Sequence, residues 1–177
     1  MLADQYLRDE LNKFAKYVIQ QSRSNLTRGK KNTSKGLYNS LDYDISKKGG
    51  TTSLGFEMAD YGKFQDRGVK GKTSSAKAPN SPYRFGTGSG KKGGLRKGIR
   101  EWVQRRGIQF RDKKSGRFLS YDSTAFLISR SIYQKGIKSS MFFTKPFERA
   151  FKRLPDDLVE AYAIGIEKQI QVNINKK

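Results

Sequence analysis

The chain contains no cysteine and no histidine in its 177 residues, and each absence excludes a class of chemistry. Without cysteine there is no disulfide framework and no thiolate metal site. Without histidine there is no Ser-His-Asp triad, no histidine-bound zinc and no side chain that titrates near neutral pH without help. The acids are also few and scattered, so we predict a protein that is not an enzyme and that requires no metal and no cofactor.

Long apolar runs are also missing. No segment approaches the roughly 18 uninterrupted apolar residues that would cross a bilayer, and Met1–Glu10 carries four charged residues where a secretory signal would be apolar. We expect a soluble protein that is made in the cytoplasm and has no membrane partner. Because only 34% of the residues are hydrophobic and 30% are charged, part of the chain is expected to be disordered alone or ordered by neighbouring subunits.

Positive charge is what the chain has in abundance. The net charge is +21, and the region from Tyr61 to Ser120 holds 17 Lys and Arg against three acids. Counterion release makes such a region bind DNA or RNA phosphates with little sequence information, so we favour phosphate contact over a loop that charge merely keeps soluble. The predicted contacts to DNA phosphate or to a neighbouring subunit are Lys91, Lys92, Arg96, Lys97, Arg100, Arg105 and Arg106, together with Lys63, Arg67, Lys70, Lys72, Lys77 and Arg84 on the preceding arm.

The hydrophobic spacing predicts an α+β fold with an N-terminal amphipathic helix, a small antiparallel sheet of hairpins and C-terminal helices. From Leu2 to about Leu26, apolar residues recur on one helix face. Alternating residues on either side of Gly49-Gly50 predict a first hairpin with one buried face. We predict one domain in three segments: 1–60 with the helix and hairpin, 61–94 as a long basic Gly-rich flexible arm or loop, and 95–177 completing the same domain.

Residues 95–177 show four further signals. The first is a short basic helix that ends at Gly107, followed by a second small hairpin over 108–119. Next comes a helix that either Asp122 or Ser123 caps and that Gly136 ends. The last helical region is expected to be kinked or split at Pro155.

Three sets of residues raise the question of a chemical site. The letters of Gly88-Ser89-Gly90-Lys91-Lys92-Gly93 match G-x-G-x-x-G, but no apolar strand precedes them, so we interpret them as part of the arm and not as a nucleotide site. Asp42 and Asp44 share the outer face of the first hairpin, where a solvated surface is favoured over a magnesium site. With Asp66 they carry the alternative of a metal-dependent nuclease. Trp102 is expected to pack in the core.

Several short pieces, in order along most of the chain, resemble the neck proteins of tailed bacteriophages, also called head-tail connector or tail-completion proteins. Each piece consists of small and aromatic residues, so the specificity lies in their order and spacing. The pieces are Gly36-Leu37 with Ser40-Leu41, Phe56 with Tyr61-Gly62, Asp66-Arg67-Gly68, Ile99 with Trp102-Val103 and Gly107-Ile108, Ile132 with Gly136-Ile137, and Phe143 with Pro146-Phe147.

The resemblance implies a structural subunit of the virion at the head-tail junction. Copies of it would form a ring of 6 or 12 that joins portal or adaptor to tail proteins and surrounds the channel for genomic DNA. It leaves open whether Lys63 to Lys92 lines the channel, grips an adjacent ring or does both. The alternative function is a free basic nucleic-acid-binding accessory protein.

Overall fold

The structure is a computed structural model that describes residues 2–30, 34–87 and 94–174. Its described part contains seven helices and two small antiparallel sheets, which confirms the α+β class. No helix in these ranges is long and apolar enough to cross a membrane. The helices are α1 (Leu2–Arg28), α2 (Gly36–Asn39), α3 (Gly62–Arg67), α4 (Gly94–Arg106), α5 (Tyr121–Lys135), α6 (Thr144–Phe151) and α7 (Leu154–Ile174), and the strands are β1 (Asp42–Lys48), β2 (Thr51–Glu57), β3 (Val69–Lys70) and β4 (Gly136–Ile137).

The chain forms two compact units. Unit 1 comprises the residues up to Gly62 and those from Met141 onward, and unit 2 comprises Lys63–Ser140. This division differs from the predicted segments 1–60, 61–94 and 95–177, because the first and last parts of the chain share unit 1 and unit 2 is inserted between them. Contacts between residues far apart in sequence, which local periodicity does not show, set these boundaries.

Unit 1 is a helical frame with one hairpin packed on it. Strands β1 and β2 pair antiparallel from Asp42↔Glu57 to Lys48↔Thr51, and Gly49 and Gly50 both have positive φ, as the two-residue turn requires. The first hairpin is therefore confirmed. The longest helices, α1 and α7, lie so close together that a Cβ on Gly165 would be 2.5 Å from the Cα of Ala3.

Phenylalanine rings fill the centre of unit 1. Phe14 of α1 meets Phe56 of β2 edge-on at 6.1 Å between ring centroids and Phe147 of α6 at 5.7 Å. Phe56 also meets Phe143 at 5.3 Å. Edge-to-face pairs of this kind add to the free energy of burial, so these rings join α1, the hairpin and α6.

Pro155 splits the last helical region, as predicted, into α6 and α7. Asp156 and Asp157 then lie in the first turn of α7, where carboxylates interact favourably with the helix dipole.

Unit 2 is held by backbone hydrogen bonds across long sequence separations. Strands β3 and β4 pair antiparallel, with Val69 opposite Ile137 and Lys70 opposite Gly136. The predicted absence of regular structure over 61–94 is therefore wrong for Gly62–Arg67 and Val69–Lys70, which form α3 and β3. Several main-chain groups of residues 66–77 bond to partners more than 60 residues away, which local patterns do not show. Residues 88–93 lie outside the described residues. The bonds include Lys70 N–H to Tyr83 O (2.8 Å), Phe85 N–H to Lys70 O (2.9 Å), Lys72 N–H to Tyr133 O (2.9 Å), Thr73 N–H to Gln134 O (3.2 Å) and Ser140 N–H to Asp66 O (3.0 Å).

Helix α4 begins and ends close to the predicted residues. Gly107 N–H donates to Gln104 O and Ile108 N–H to Val103 O, which is the pair of bonds that closes a helix at a glycine. The second hairpin follows as a single antiparallel bridge between Arg111 and Phe118.

The predicted cap of α5 is wrong. Ser120, and neither Asp122 nor Ser123, is the N-cap, and its hydroxyl accepts a hydrogen bond from Ser123 N–H at 3.1 Å. The helix begins one turn earlier than the apolar pattern indicated, because the cap accepts from the third helical residue. Gly136 ends α5 as predicted.

We expect Gly136→Ala to destabilise unit 2 by about 3 kcal/mol. Gly136 has φ 82° and ψ 179°, a conformation that other residues avoid, and a Cβ there would lie 2.3 Å from Val69 O. The matched control is Gly98→Ala in α4, where a Cβ meets nothing within 4 Å; it should stabilise the helix by about 0.5–1 kcal/mol. Urea unfolding and amide exchange of Lys72 and Thr73 measure both. Equal stability of the two variants would contradict this account of the β3–β4 contact.

Candidate nucleic-acid interface

The positive charge of the chain is concentrated in one folded unit. Unit 2 contains 20 Lys and Arg but only four acids, whereas unit 1 contains 17 and 12. The charge excess is therefore a property of a defined surface, and unit 2 is where an anionic partner would be attracted most strongly.

The acids of unit 2 mostly serve its own fold. Asp66 is 5% exposed. The carboxylate of Asp122 lies 2.9 Å from Arg100 Nε in a solvent-exposed ion pair, and Asp112 accepts hydrogen bonds within a turn. Asp122 neutralises Arg100, but four carboxylates against 20 cations leave most of the positive charge of unit 2 uncompensated.

Helix α4 presents its predicted cations outward. Val103 is buried, so the packing face of the helix lies where it was predicted, but Leu95, Ile99 and Trp102 are only half-buried. The prediction that Trp102 packs in the core is therefore wrong. The exposed cations of this helix are Arg96, Lys97, Arg100, Arg105 and Arg106. These five cations are distributed around the exposed surface of the helix and are called the α4 ridge below.

Three of these arginines contact neighbouring groups: a ring, a main-chain carbonyl and a carboxylate. The Arg96 guanidinium lies 5.4 Å from the ring centroid of Phe126 on α5, and Arg105 Nε donates to Glu101 O at 3.3 Å. Arg100 is paired with Asp122 as described above. Exposed pairs of this kind contribute little stability and leave most of the donor groups of a guanidinium available to an anion.

The cations of the predicted arm are placed on the folded part of unit 2. Lys63, Arg67, Lys72 and Lys77 are exposed, and Lys70 is half-buried in β3. Arg84 has a structural task, since Nη1 donates to Gly71 O at 3.3 Å and Nη2 to Ser75 Oγ at 3.1 Å. Lys91 and Lys92, with the whole Gly88–Gly93 motif, lie outside the described residues.

A basic turn that we did not predict as a contact site lies at the tip of the second hairpin. Arg111, Lys113, Lys114 and Arg117 are all exposed there. The sequence signal was four cations in seven residues around a single acid. The sequence alone does not show that these cations surround an ordered turn, because the bonds that close the turn depend on the fold.

Asp112 organises that turn. Its Oδ1 accepts hydrogen bonds from Lys114 N–H at 3.1 Å, Ser115 N–H at 2.8 Å and Ser115 Oγ at 2.9 Å. The backbone N–H and the hydroxyl of Ser115, followed by the Lys114 N–H, lower the pKa of Asp112 from its ordinary value. The one acid of the tip is thereby fixed beneath the cations.

The acidic residues do not assemble into a metal centre within the described ranges, where no group of three or more acids is close enough to hold an ion. Asp42 and Asp44 lie on the exposed side of β1 in unit 1, as the solvated-surface interpretation predicts. Asp66 is buried in unit 2. The three acids of the nuclease alternative therefore belong to different units.

Comparison with protein-family models, curated proteins and solved structures finds no match to this chain. The likeness to phage neck proteins consequently rests on the sequence pieces given above. Some of these pieces meet in the fold: Asp66-Arg67-Gly68 leads into β3, and Gly136-Ile137 forms the paired strand β4.

We expect the Asp112 turn to loosen in acid. Because the folded state holds the pKa of Asp112 below its ordinary value, the carboxylate stabilises the turn above about pH 4 and this contribution is lost as pH falls through the lowered pKa. NMR titration should give a carboxyl midpoint below about 3.9 and a matching change at the Ser115 amide. In Asp112→Asn, which still offers an oxygen but does not titrate, the change at Ser115 should vanish. A midpoint at or above the ordinary value would contradict the hydrogen-bonded geometry.

Proposed function

We propose that this protein is a structural subunit of a bacteriophage neck, which forms a ring between the portal end of the head and the tail and surrounds the DNA channel. The observation that carries the proposal is the excess of 20 cations over four acids on a folded unit whose acids are largely committed to its own structure. The choice of the neck-protein family rests on the short sequence pieces that resemble it, in their order along the chain.

A channel that admits DNA of any sequence requires contacts to phosphate and none to base edges. The α4 ridge suits that role, because five exposed cations on one rigid helix present charge without a pocket that would select a base. Residues 63–87 add further exposed cations to unit 2. In this proposal the protein joins the head to the tail and positions the DNA in the channel, and it catalyses no reaction.

Self-association is supported by α7 in unit 1, which has two apolar faces. Leu154, Ala161 and Gly165 are buried on one face. The residues of the other face recur at intervals of three or four and are mostly exposed: Val159 (72%), Tyr162 (50%), Ile166, Ile170 (53%) and Ile174 (66%). An exposed apolar stripe of this length is typical of a protein interface, and in a ring the occupant is a neighbouring copy.

The partners of such a ring are further copies of the chain, the portal or adaptor proteins above, the tail proteins below and the genomic DNA within. Electron microscopy of virions, with density assigned to this chain, is the direct experiment. A protein that is strictly monomeric and absent from particles would overturn the proposal. Tight duplex binding without rings would favour the free nucleic-acid-binding accessory protein.

Reversing the charge of Arg105 and Arg106 to glutamate should weaken duplex DNA binding by at least about tenfold and reduce its salt dependence by about 0.9 per lost phosphate contact. Both residues are exposed at the end of α4, so the fold should persist. The matched control reverses Lys152 and Arg153, an adjacent exposed pair in unit 1, and should change affinity less than about twofold. Anisotropy titrations at several salt concentrations measure both. Loss of soluble protein in the first variant alone would show that these arginines are structural.

Replacing Ile170 by aspartate should dissociate the oligomer into monomers, because a carboxylate in an apolar contact between copies must be desolvated. Ile170 is 53% exposed in the monomer, so its own fold should be little affected. Gln171→Asp, which adds the same charge beside the stripe, is the control and should assemble normally. Light scattering after size exclusion, with negative-stain images, reports the result. Rings formed equally by both variants would exclude α7 as the contact.

A further inference from the structure

The tip of the second hairpin combines cations with an exposed aromatic ring. Arg111 and Phe118 form the single bridge of the hairpin, so their side chains lie side by side on one face. The Arg111 guanidinium lies 4.6 Å from the ring centroid of Phe118. Phe118 nevertheless remains 60% exposed, the highest exposure of any described phenylalanine.

The turn between these two residues is ordered and strongly basic. Asp112 N–H bonds to Arg117 O at 2.9 Å and Gly116 N–H to Asp112 O at 2.9 Å, which closes the turn. Lys113, Lys114 and Arg117 project from it into solvent, while the Asp112 carboxylate is engaged by Lys114 and Ser115. The tip therefore offers several cations and one aromatic ring at fixed spacing.

We propose that this hairpin tip is a binding site for single-stranded nucleic acid, with a base stacked on Phe118 and the flanking phosphates held by Lys113, Lys114 and Arg117. Proteins that bind single strands without sequence preference combine a basic track with aromatic platforms in this way. The guanidinium of Arg111 covers part of the ring, fixes its orientation and adds a cation–π contribution to the stack.

The charge decides between a nucleic acid and a protein as the occupant. An apolar protein partner would have to bury Phe118 together with the cations beside it, and their desolvation would oppose docking. A polyanion pairs with those cations and releases counterions as it binds. Duplex DNA satisfies the cations but keeps its bases stacked inside, so the exposed ring selects a strand whose bases are accessible.

This site goes beyond the neck function proposed above and does not depend on ring formation. The neck ring requires contacts to duplex phosphate, for which the α4 ridge is the candidate surface. Phe118 contributes nothing to such contacts, so the two surfaces are distinguished by the form of nucleic acid that each prefers.

The test compares the full-length protein and its variants in binding to labelled dT20 and to a 20-base-pair duplex at one fixed salt concentration. Phe118→Ala and Phe118→Leu should both weaken dT20 binding by about tenfold, since stacking on one base is lost, and should change duplex binding by less than about twofold. Phe118→Tyr keeps the ring and should bind dT20 like the wild type. Phe151→Ala, at an exposed ring in unit 1 (50% exposed), is the control and should bind as the wild type.

Lys113→Ala/Lys114→Ala should weaken binding to dT20, with a salt slope reduced by about 0.7 for each lost contact. The Ser115 amide resonance reports whether each variant keeps the turn. Failure of the wild type to bind dT20, or equal dT20 binding by Phe118→Ala and the wild type with the turn intact, overturns the proposal. So does an equal loss of dT20 and duplex binding in Phe118→Ala, or a protein partner that loses affinity in this variant while dT20 binding is unchanged.

Discussion

The backbone hydrogen bonds that join residues 66–77 to residues 133–140 are the constraint on which unit 2 depends. Both clusters of packed buried side chains in the described ranges belong to unit 1, and the buried apolar residues of unit 2 are few and mostly small: Val69, Ala78, Val103 and Ala125. A thin core must also resist the mutual repulsion of 20 cations. Hydrogen bonds between main-chain groups supply stability that the small hydrophobic core does not. Glycines at β3 and β4 let the two strands approach closely enough to form these bonds.

The same constraint explains why some charged side chains of unit 2 form hydrogen bonds within the unit while others face solvent. Arg84 donates hydrogen bonds to carbonyl and hydroxyl oxygens of the adjoining loop. Asp112 accepts hydrogen bonds within its own turn. The remaining cations can face outward because α4 and the hairpin that follows it are anchored by Val103 and by the hydrogen bond from Phe110 N–H to Thr124 Oγ1. These cations therefore project from ordered backbone.

The sequence predicted elements where the signal was local. Periodicity located α1 and α4, paired glycines located the first hairpin, and Pro155 located the break between α6 and α7. Strand β3 and the hydrogen bonds of residues 66–77 escaped prediction because their partners on 133–140 lie more than 60 residues away and glycine-rich segments show no period. The cap at Ser120 was missed because a hydroxyl two residues before the acid satisfied the helix. Among site residues, cations were identified by type, but the structural use of Arg84 and the exposure of Phe118 depend on tertiary placement.

The chain leaves unit 1 after Gly62 and returns to it at Met141. Close to these points, the backbone N–H and the hydroxyl of Ser140 both donate hydrogen bonds to Gln65 O, at 3.4 and 2.6 Å. The two ends of unit 2 therefore lie close together, as is usual for a domain inserted into a loop of another. A frame built in this way tolerates exchange of its insert, since joining two adjacent ends costs little chain entropy. The length and charge of unit 2 can therefore change without repacking α1 against α7 in unit 1.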